Sequence, residues 1–294
     1  MNAVGIDIGG TRIKAVRLDA SGTVLGSAQR DTSDERGALV EQVKALLADL
    51  GTERGEPIGI ASPGLAGRDN RAIQWMRGRL DCVEGLDWTQ QLARPAVVVN
   101  DAHAATLGEA RLGAAAGKAH VVMLTLGTGV GGGVLVEGRL LQGAIGRAGH
   151  LGHISLDAQG EPDIVNTPGS LEDLVGAHSL AAQSEGRFHE IAELSAAVER
   201  GDAAARELWD RRVDALAAGI VSLINAFDPE VVILGGGVAA AGATLFEPLR
   251  ERLNQWEWRP LGAPVPVVPA ALGEQAGAIG AARFASEQAG SVRE

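Results

Sequence analysis

The sequence predicts an α/β protein of two lobes with mixed sheets and an internal duplication, and three observations predict it. Strands stop on glycine-rich turns at Gly9-Gly10, at Gly127 to Gly133 and at Gly235 to Gly237. The first two turns lead into a returning strand and then a further glycine, Gly22 and Gly138, so one strand, turn, strand unit occurs twice. Helical runs such as Ala203 to Phe227 lie between the strands, and 294 residues exceed the usual single core.

Ala3 to Ile8 reads as a buried strand, Gly9-Gly10-Thr11 as a tight turn, Ile13 to Leu18 as the returning strand and Thr23 to Ala28 as a third. Glycine leaves backbone N–H groups uncovered, so Gly9 and Gly10 can cradle a phosphate, with the Thr11 hydroxyl and the Lys14 ammonium beside them. Asp7 faces the same place. A carboxylate beside a phosphate calls for a cation between them, which makes Asp7 a candidate to hold Mg²⁺ through water. An ordinary glycine hairpin with a solvated Asp fits the same residues. Leu39, Val40, Val43, Leu46, Leu47 and Leu50 have amphipathic helical spacing within Thr32 to Leu50. Pro57 to Ala61 is a short strand ending in Ser62-Pro63-Gly64, where Gly64 lets the backbone approach a ligand. Arg68 to Asp87 has no clear period and reads as a loop or irregular hairpin, its Trp75, Arg77 and Arg79 packed or at the surface.

The stretch that organises the rest is Val97-Val98-Val99-Asn100-Asp101. Three β-branched residues make a buried strand, and the Ala-rich run after Asp101 has helical propensity. Ligands of open α/β sheets sit beyond the carboxyl ends of strands, so Asn100 and Asp101 stand where a substrate would be. Asp101 is then either a catalytic base or merely the N-cap of the following helix. His120 to Leu126 is the next strand, running into Gly127-Thr128-Gly129-Val130-Gly131-Gly132-Gly133. Gly127, Gly129 and Gly132 satisfy G-x-G-x-x-G, but a dinucleotide site needs a helix next, and Val134 to Leu141 reads as a hairpin. Two phosphate turns facing each other would hold a polyphosphate from both sides.

Gly143 to His153 is a glycine-rich loop carrying His150 and His153. Only Asp157, Glu161 and Asp163 lie near as co-ligands, so hydrogen bonding to a polar ligand is favoured over a metal. Ala203 to Phe227 is a long helix, and Val231 to Leu234 a core strand ending on Gly235-Gly236-Gly237, bare backbone that can accept the flat face of a base or sugar. Thr244 to Asn254 is a helix, Pro264 to Ala270 a last strand, and Ala276 to Gln288 a small-residue helix able to pack closely across the hinge.

Composition excludes several classes. A net charge of −11 without any Lys/Arg run argues against nucleic acid. Cys82 is the single cysteine, which rules out a disulfide framework or thiolate zinc cluster. Neither a signal peptide nor a run of 18 apolar residues is present, so a soluble, cytoplasmic chain without a membrane partner is expected.

Taken together, these motifs resemble the ROK family of bacterial sugar kinases, within the actin/hexokinase-like (ribonuclease H-like) ATPase fold, over the whole chain. Gly5-Ile6-Asp7-Ile8-Gly9-Gly10-Thr11-Arg12-Ile13-Lys14 is similar to the family's first phosphate motif and Asn100-Asp101-Ala102 to its catalytic motif. Leu126 to Gly133 is similar to the second phosphate motif, and Leu234-Gly235-Gly236-Gly237-Val238 to the adenosine motif. The resemblance implies that Asp101 deprotonates a sugar hydroxyl that attacks the γ-phosphate of ATP, with Mg²⁺ present and water excluded by lobe closure. It implies a nucleotide held by Asp7, Gly9, Gly10, Thr11, Lys14, Gly127, Thr128, Gly129, Gly131 and Gly235 to Gly237, and a sugar held by Gly64, Asn100, Asp101, His150, His153 and Glu172. It also implies a homodimer, and lobes of residues 1–102, joined by the helix 276–290, and 103–275.

Two departures stand out. The family's sugar-binding Glu is replaced by His150, and imidazole does not substitute for a carboxylate acceptor. The family's zinc motif keeps His153, but Asp163, Val165 and Ser170 occupy the cysteine positions and Asn166 a glycine position, so no zinc is expected. A ROK-type repressor would carry a helix-turn-helix before the first phosphate strand, which this chain does not show. A non-sugar ATPase of the same fold and a silent sugar binder remain as alternatives, although a silent binder has no need of Asp7, Lys14 and Asp101.

Overall fold

A computed structural model describes residues 1–78 and 80–291; Arg79 lies outside the described residues. The chain divides into two compact units, Met1–Gly117 with Leu140–Gly149 and Ala271–Glu294, and Lys118–Arg139 with His150–Ala270.

The first unit runs β1 (Ala3–Ile8), β2 (Arg12–Leu18), β3 (Val24–Asp31), α1 (Arg36–Asp49), β4 (Ile58–Ser62), β5 (Leu65–Ala66), β6 (Ile73–Trp75), α2 (Trp88–Leu92), β7 (Ala96–Asn100) and α3 (Asp101–Leu112). The main sheet has the order β3-β2-β1-β4-β7, antiparallel from β3 to β1 and parallel from β1 to β7. Side chains alternate across β1. Val4, Ile6 and Ile8 join Leu39, Val43 and Leu46 of α1 in one core, while Ala3, Gly5 and Asp7 take the opposite face. That face meets the last helix of the chain, which spans Ala276–Ser291. A Cβ on Gly5 would run into the carbonyl oxygen of Ala278, and one on Gly59 into that of Ala281, so bare glycine lets the helix backbone touch the sheet. β5 and β6 form a two-stranded ribbon that starts before the Arg68 to Asp87 span read as a loop or irregular hairpin, with Arg77 over the Trp75 ring.

The second unit runs β8 (Val121–Leu126), β9 (Val130–Val136), β10 (Arg139–Leu140), α4 (Leu171–Val175), α5 (Leu180–Gln183), α6 (Ile191–Glu199), α7 (Ala203–Phe227), β11 (Val231–Gly235), α8 (Ala243–Trp256) and β12 (Val267–Pro269); the C-terminal helix is α9. Its sheet has the order β10-β9-β8-β11-β12, with β8, β11 and β12 parallel and β9 antiparallel to β8. This order repeats that of the first sheet strand for strand.

Three sequence expectations are corrected. Helix α3, placed beyond a boundary at residue 102, packs against α9 within the first unit. The second glycine turn is shorter than Gly127 to Gly133, because Gly131, Gly132 and Gly133 pair in β9 with Thr125, Leu124 and Met123. The final strand begins only at Val267, since Pro264 and Pro266 bring no N–H to a ladder.

Candidate active site

In the first unit, β7 delivers Asn100 and α3 begins at Asp101. The N-cap is Asn100, whose Oδ1 accepts from the N–H groups of Ala102 at 3.0 Å and His103 at 3.1 Å. Its Nδ2 donates to the Gly64 carbonyl at 3.0 Å, joining the end of β7 to the Ser62-Pro63-Gly64 turn. Asp101 is therefore not the cap. Every residue from Ala102 to Ala110 is buried, while Asp101 stays partly exposed at the head of the helix. Its Oδ1 accepts from the Ala102 N–H at 2.8 Å. Burial raises its pKa, and the Ala102 N–H, its own N–H and the Asn100 amide oppose that rise.

Asp7 lies near enough to feel that charge. Burial drives its carboxyl up to about 7, the Asp101 carboxylate adds to the rise and Lys14 counters it. A carboxylate whose ionised form is disfavoured by burial and by a second carboxylate is donor chemistry that a divalent cation relieves. A Cβ on Gly277 of α9 would stand 2.6 Å from Asp7 Oδ2, so this glycine makes the room in which the carboxylate sits. Lys14, on β2 opposite Asp7 in register, is paired with Glu274 at 2.9 Å. Gly10 is open, with no atom within 4 Å of a Cβ placed there. The Thr32 hydroxyl donates to the Gly9 carbonyl at 2.7 Å and the Thr32 N–H to that of Thr11 at 2.9 Å, so the residue that follows β3 braces the first turn.

In the second unit the Gly127 N–H donates to the Gly129 carbonyl at 2.9 Å, closing a tight turn. The turn is braced from the segment after α4, where the Ala177 N–H donates to the Gly127 carbonyl at 3.0 Å and the His178 N–H to that of Thr128 at 2.9 Å. The buried Arg212 of α7 supports this segment by donating to the carbonyls of Val175 and Gly176 and to the Gln183 side chain. Desolvation lowers its pKa to about 10. The adenosine-type turn adjoins: the Val238 N–H donates to the Leu126 carbonyl at 3.0 Å, and Gly236, at φ +85°, leaves no room for a Cβ against Leu126. Gly235 closes β11, and a Cβ on Gly237 would meet nothing within 4 Å.

Glu172 opens α4, and its Oε2 accepts from the Val130 N–H at 2.8 Å. One oxygen of this candidate sugar acceptor thus anchors the second phosphate turn. His150 and His153 flank a single 3₁₀ turn. Burial and the neighbouring His153 hold the His150 pKa down to about 4, so it is a neutral imidazole at physiological pH. His153 Nδ1 lies 2.8 Å from Asp163 Oδ2. Asn166, in the family's glycine position, adopts φ +66°, a left-handed conformation that Asn tolerates. Among the described residues no three His, Cys, Asp or Glu side chains are grouped to hold a metal ion.

Sequence reasoning did not reach Glu109, Gly277, His178 or Arg212. Glu109 is fully buried on α3 and accepts from the N–H groups of Ala114, Ala271 and Leu272, tying α3 to the chain that leads into α9. Ala271 and Leu272 lie 162 and 163 residues away, and an Ala-rich helix carries no local sign of them.

Residues 3–288 match the ROK family. The glucokinase of Thermotoga maritima is 33% identical over 99% of both chains. The crystal structure of a ROK hexokinase from Thermus thermophilus is 35% identical, with a TM-score of 0.83 over 99% of this chain and 100% of that one. A ROK glucokinase from Streptomyces griseus, solved with glucose and AMPPNP, is 28% identical, with a TM-score of 0.80 over 98% and 100%. With two sheets of one strand order, a carboxylate at the end of β7 and glycine turns at the strand ends, the chain belongs to the ROK family, has the actin-like ATPase fold and is an ATP-dependent sugar kinase.

Proposed function

We propose that the chain transfers the γ-phosphate of ATP to a hydroxyl of a hexose or hexose derivative, with Asp101 as general base. The observation that carries this is the carboxylate at the head of α3, relieved of capping duty by Asn100 and raised in pKa by burial. A base works best when its pKa approaches the operating pH, and burial moves Asp101 in that direction. The sugar O–H proton passes to the Asp101 carboxylate as its oxygen attacks the γ-phosphorus; the bond to the β,γ-bridging oxygen breaks and ADP leaves.

The residues assigned to the nucleotide are Gly9, Gly10, Thr11 and Lys14 for the phosphates, Gly127, Thr128 and Gly129 likewise, with Gly131 within β9, and Gly235 to Gly237 at the end of β11 for the adenosine. The Lys14 ammonium, with three donors, has capacity for a phosphate oxygen beside its bond to Glu274. Asp7 would hold Mg²⁺ through water, and the ion when bound neutralises phosphate charge. Gly64, Asn100, His150, His153 and Glu172 are the residues assigned to the sugar. The glucose bound by the Streptomyces griseus enzyme supports a hexose as acceptor.

The test is ADP release with Mg-ATP against hexoses, 2-amino hexoses and N-acetylated hexoses, run beside Asp101→Asn. Sugar-dependent turnover is expected in the wild type, with kcat falling about 10²- to 10⁴-fold in the variant while sugar binding persists. Near-normal turnover by Asp101→Asn would remove Asp101 from the role. A sugar that raises the melting temperature without any ADP release would make the chain a binder.

A further inference from the structure

Asp163 carries hydrogen bonds out of proportion to its place in a surface loop. Its Oδ1 accepts from the N–H groups of Val165 at 2.9 Å and Thr167 at 2.8 Å, and its Oδ2 faces His153 Nδ1 at 2.8 Å. The Ser170 hydroxyl also reaches the carboxylate. The loop closes on itself around this residue: the Asp163 N–H donates to the Thr167 carbonyl, the Asn166 N–H to the Asp163 carbonyl, and Pro162 bridges Pro168. The Asp163 side chain is 0% exposed, whereas that of His153 is 27% exposed. The carboxylate is therefore placed by its own loop before any ligand arrives, and the imidazole reaches from it toward solvent.

We infer that Asp163 is a positioning residue that sets the tautomer of His153, holding the proton on Nδ1 and presenting Nε2 as a hydrogen-bond acceptor for a sugar hydroxyl. The inference rests on the proposed role of His153 on the sugar side. An ionised carboxylate only accepts, so the ring nitrogen facing it must donate, and in a neutral imidazole the other nitrogen then carries the lone pair. Burial alone would raise the Asp163 pKa; the N–H groups of Thr167 and Val165, His153 and Ser170 outweigh it and hold the carboxyl below its ordinary value. A metal ion on Nδ1 would do the opposite, taking that lone pair and leaving the proton on Nε2 as a donor. Asp163 thus orders the loop as a metal would while giving His153 the reverse polarity. That matters beside His150, where a neutral imidazole replaces a carboxylate acceptor: His153 Nε2 supplies an acceptor to the same side of the site.

Asp163→Asn separates polarity from packing. Its Oδ1 can keep the Val165 and Thr167 bonds, while its Nδ2 donates to His153 Nδ1 and drives the proton to Nε2. ¹⁵N spectra of histidine-labelled protein, assigned with His153→Gln, read the tautomer without any sugar present. Expected are Nδ1–H in the wild type and Nε2–H in Asp163→Asn, with the KM for sugar raised about tenfold or more, and the KM for ATP and the kcat little changed. An Nε2–H tautomer in the wild type, the same tautomer in both proteins, or a reversed tautomer with unaltered KM for sugar would each overturn the inference. Failure of the wild type to turn over any sugar would instead sink the kinase reading, and the spectra would still decide what Asp163 does to His153.

Discussion

Asp7 shows how the place of a candidate functional residue is set by strand parity. Val4, Ile6 and Ile8 claim the α1 face of β1, which sends Asp7 to the α9 face, where only glycine at 277 leaves it room. Gly277→Ala puts a Cβ 2.6 Å from Oδ2 and 2.8 Å from Cγ. Helix propensity favours alanine by about 1 kcal/mol, and overpacking costs about 1–3 kcal/mol, so stability changes little while the short Asp7 side chain is pushed aside. The expected result is a melting temperature within a few degrees of the wild type and kcat reduced about tenfold or more, the loss scaling with the misplacement of a charged group. Wild-type turnover by Gly277→Ala would show that the position of Asp7 is unimportant. Asp7 and Asp101 were legible because each stands where a strand gives way to a glycine turn or a helix. The sequence left Asp101 as either base or cap for a reason of local geometry: Asn and Asp cap equally well, and only the bonds that Asn100 Oδ1 accepts from Ala102 and His103 distinguish them.

Among elements, α9 makes the sharpest case. It carries glycines at 277, 280 and 290 in surroundings that differ completely. A Cβ on Gly280 would overlap the carbonyl of Ala104 in α3, and backbone on both sides cannot step away as a side chain can; a Cβ on Gly290 would meet nothing within 4 Å. Gly280→Ala is expected to destabilise by about 3 kcal/mol or more, at or beyond the upper end of overpacking. Gly290→Ala, in the same helix, is expected to be neutral or to stabilise by up to about 1 kcal/mol. Urea unfolding of the two variants checks this, and equal midpoints would mean that α3 and α9 are not held backbone to backbone. The periodic elements were legible: β1 and α7 have the bounds that the sequence predicts, because alternation and helical spacing survive any tertiary context that buries one face. Which helix pairs with which was not. The small residues of α9 announced a close approach without naming α3, and Glu109, which ties the two together through Ala271 and Leu272, has no local signature.

At the scale of the whole molecule, the repeated sheet order makes the duplication complete, although only its two glycine hairpins were visible in the sequence; the parallel strands of each sheet share no motif that single-sequence reading could match. Carboxylates of both units are held low by hydrogen bonds, Asp19, Glu35 and Asp87 in the first as well as those of the second, and the pH profile of stability should show where one residue departs from them. Asp163, Asp202, Glu193 and Glu230 are held below their ordinary values by hydrogen bonds, so each contributes stability above its unfolded pKa that is lost as pH falls through its folded one. Asp7 has the opposite sign. Its folded pKa of about 7 against an ordinary 3.8 means that the folded state binds the extra proton between those values. Its contribution is complete below about 4 and disappears as pH rises through about 7, and the raised Asp101 acts in the same direction. Stability in metal-free buffer should therefore peak on the acid side of neutrality and decline toward pH 8. Asp7→Asn should flatten that decline, and Mg²⁺ should oppose it in the wild type but not in the variant, because a cation stabilises only the ionised carboxylate. Melting curves from pH 5 to 8.5, with and without MgCl₂, measure all three effects. Parallel declines in the wild type and Asp7→Asn would mean that the neutral limb belongs to another group and that Asp7 is not where a cation acts.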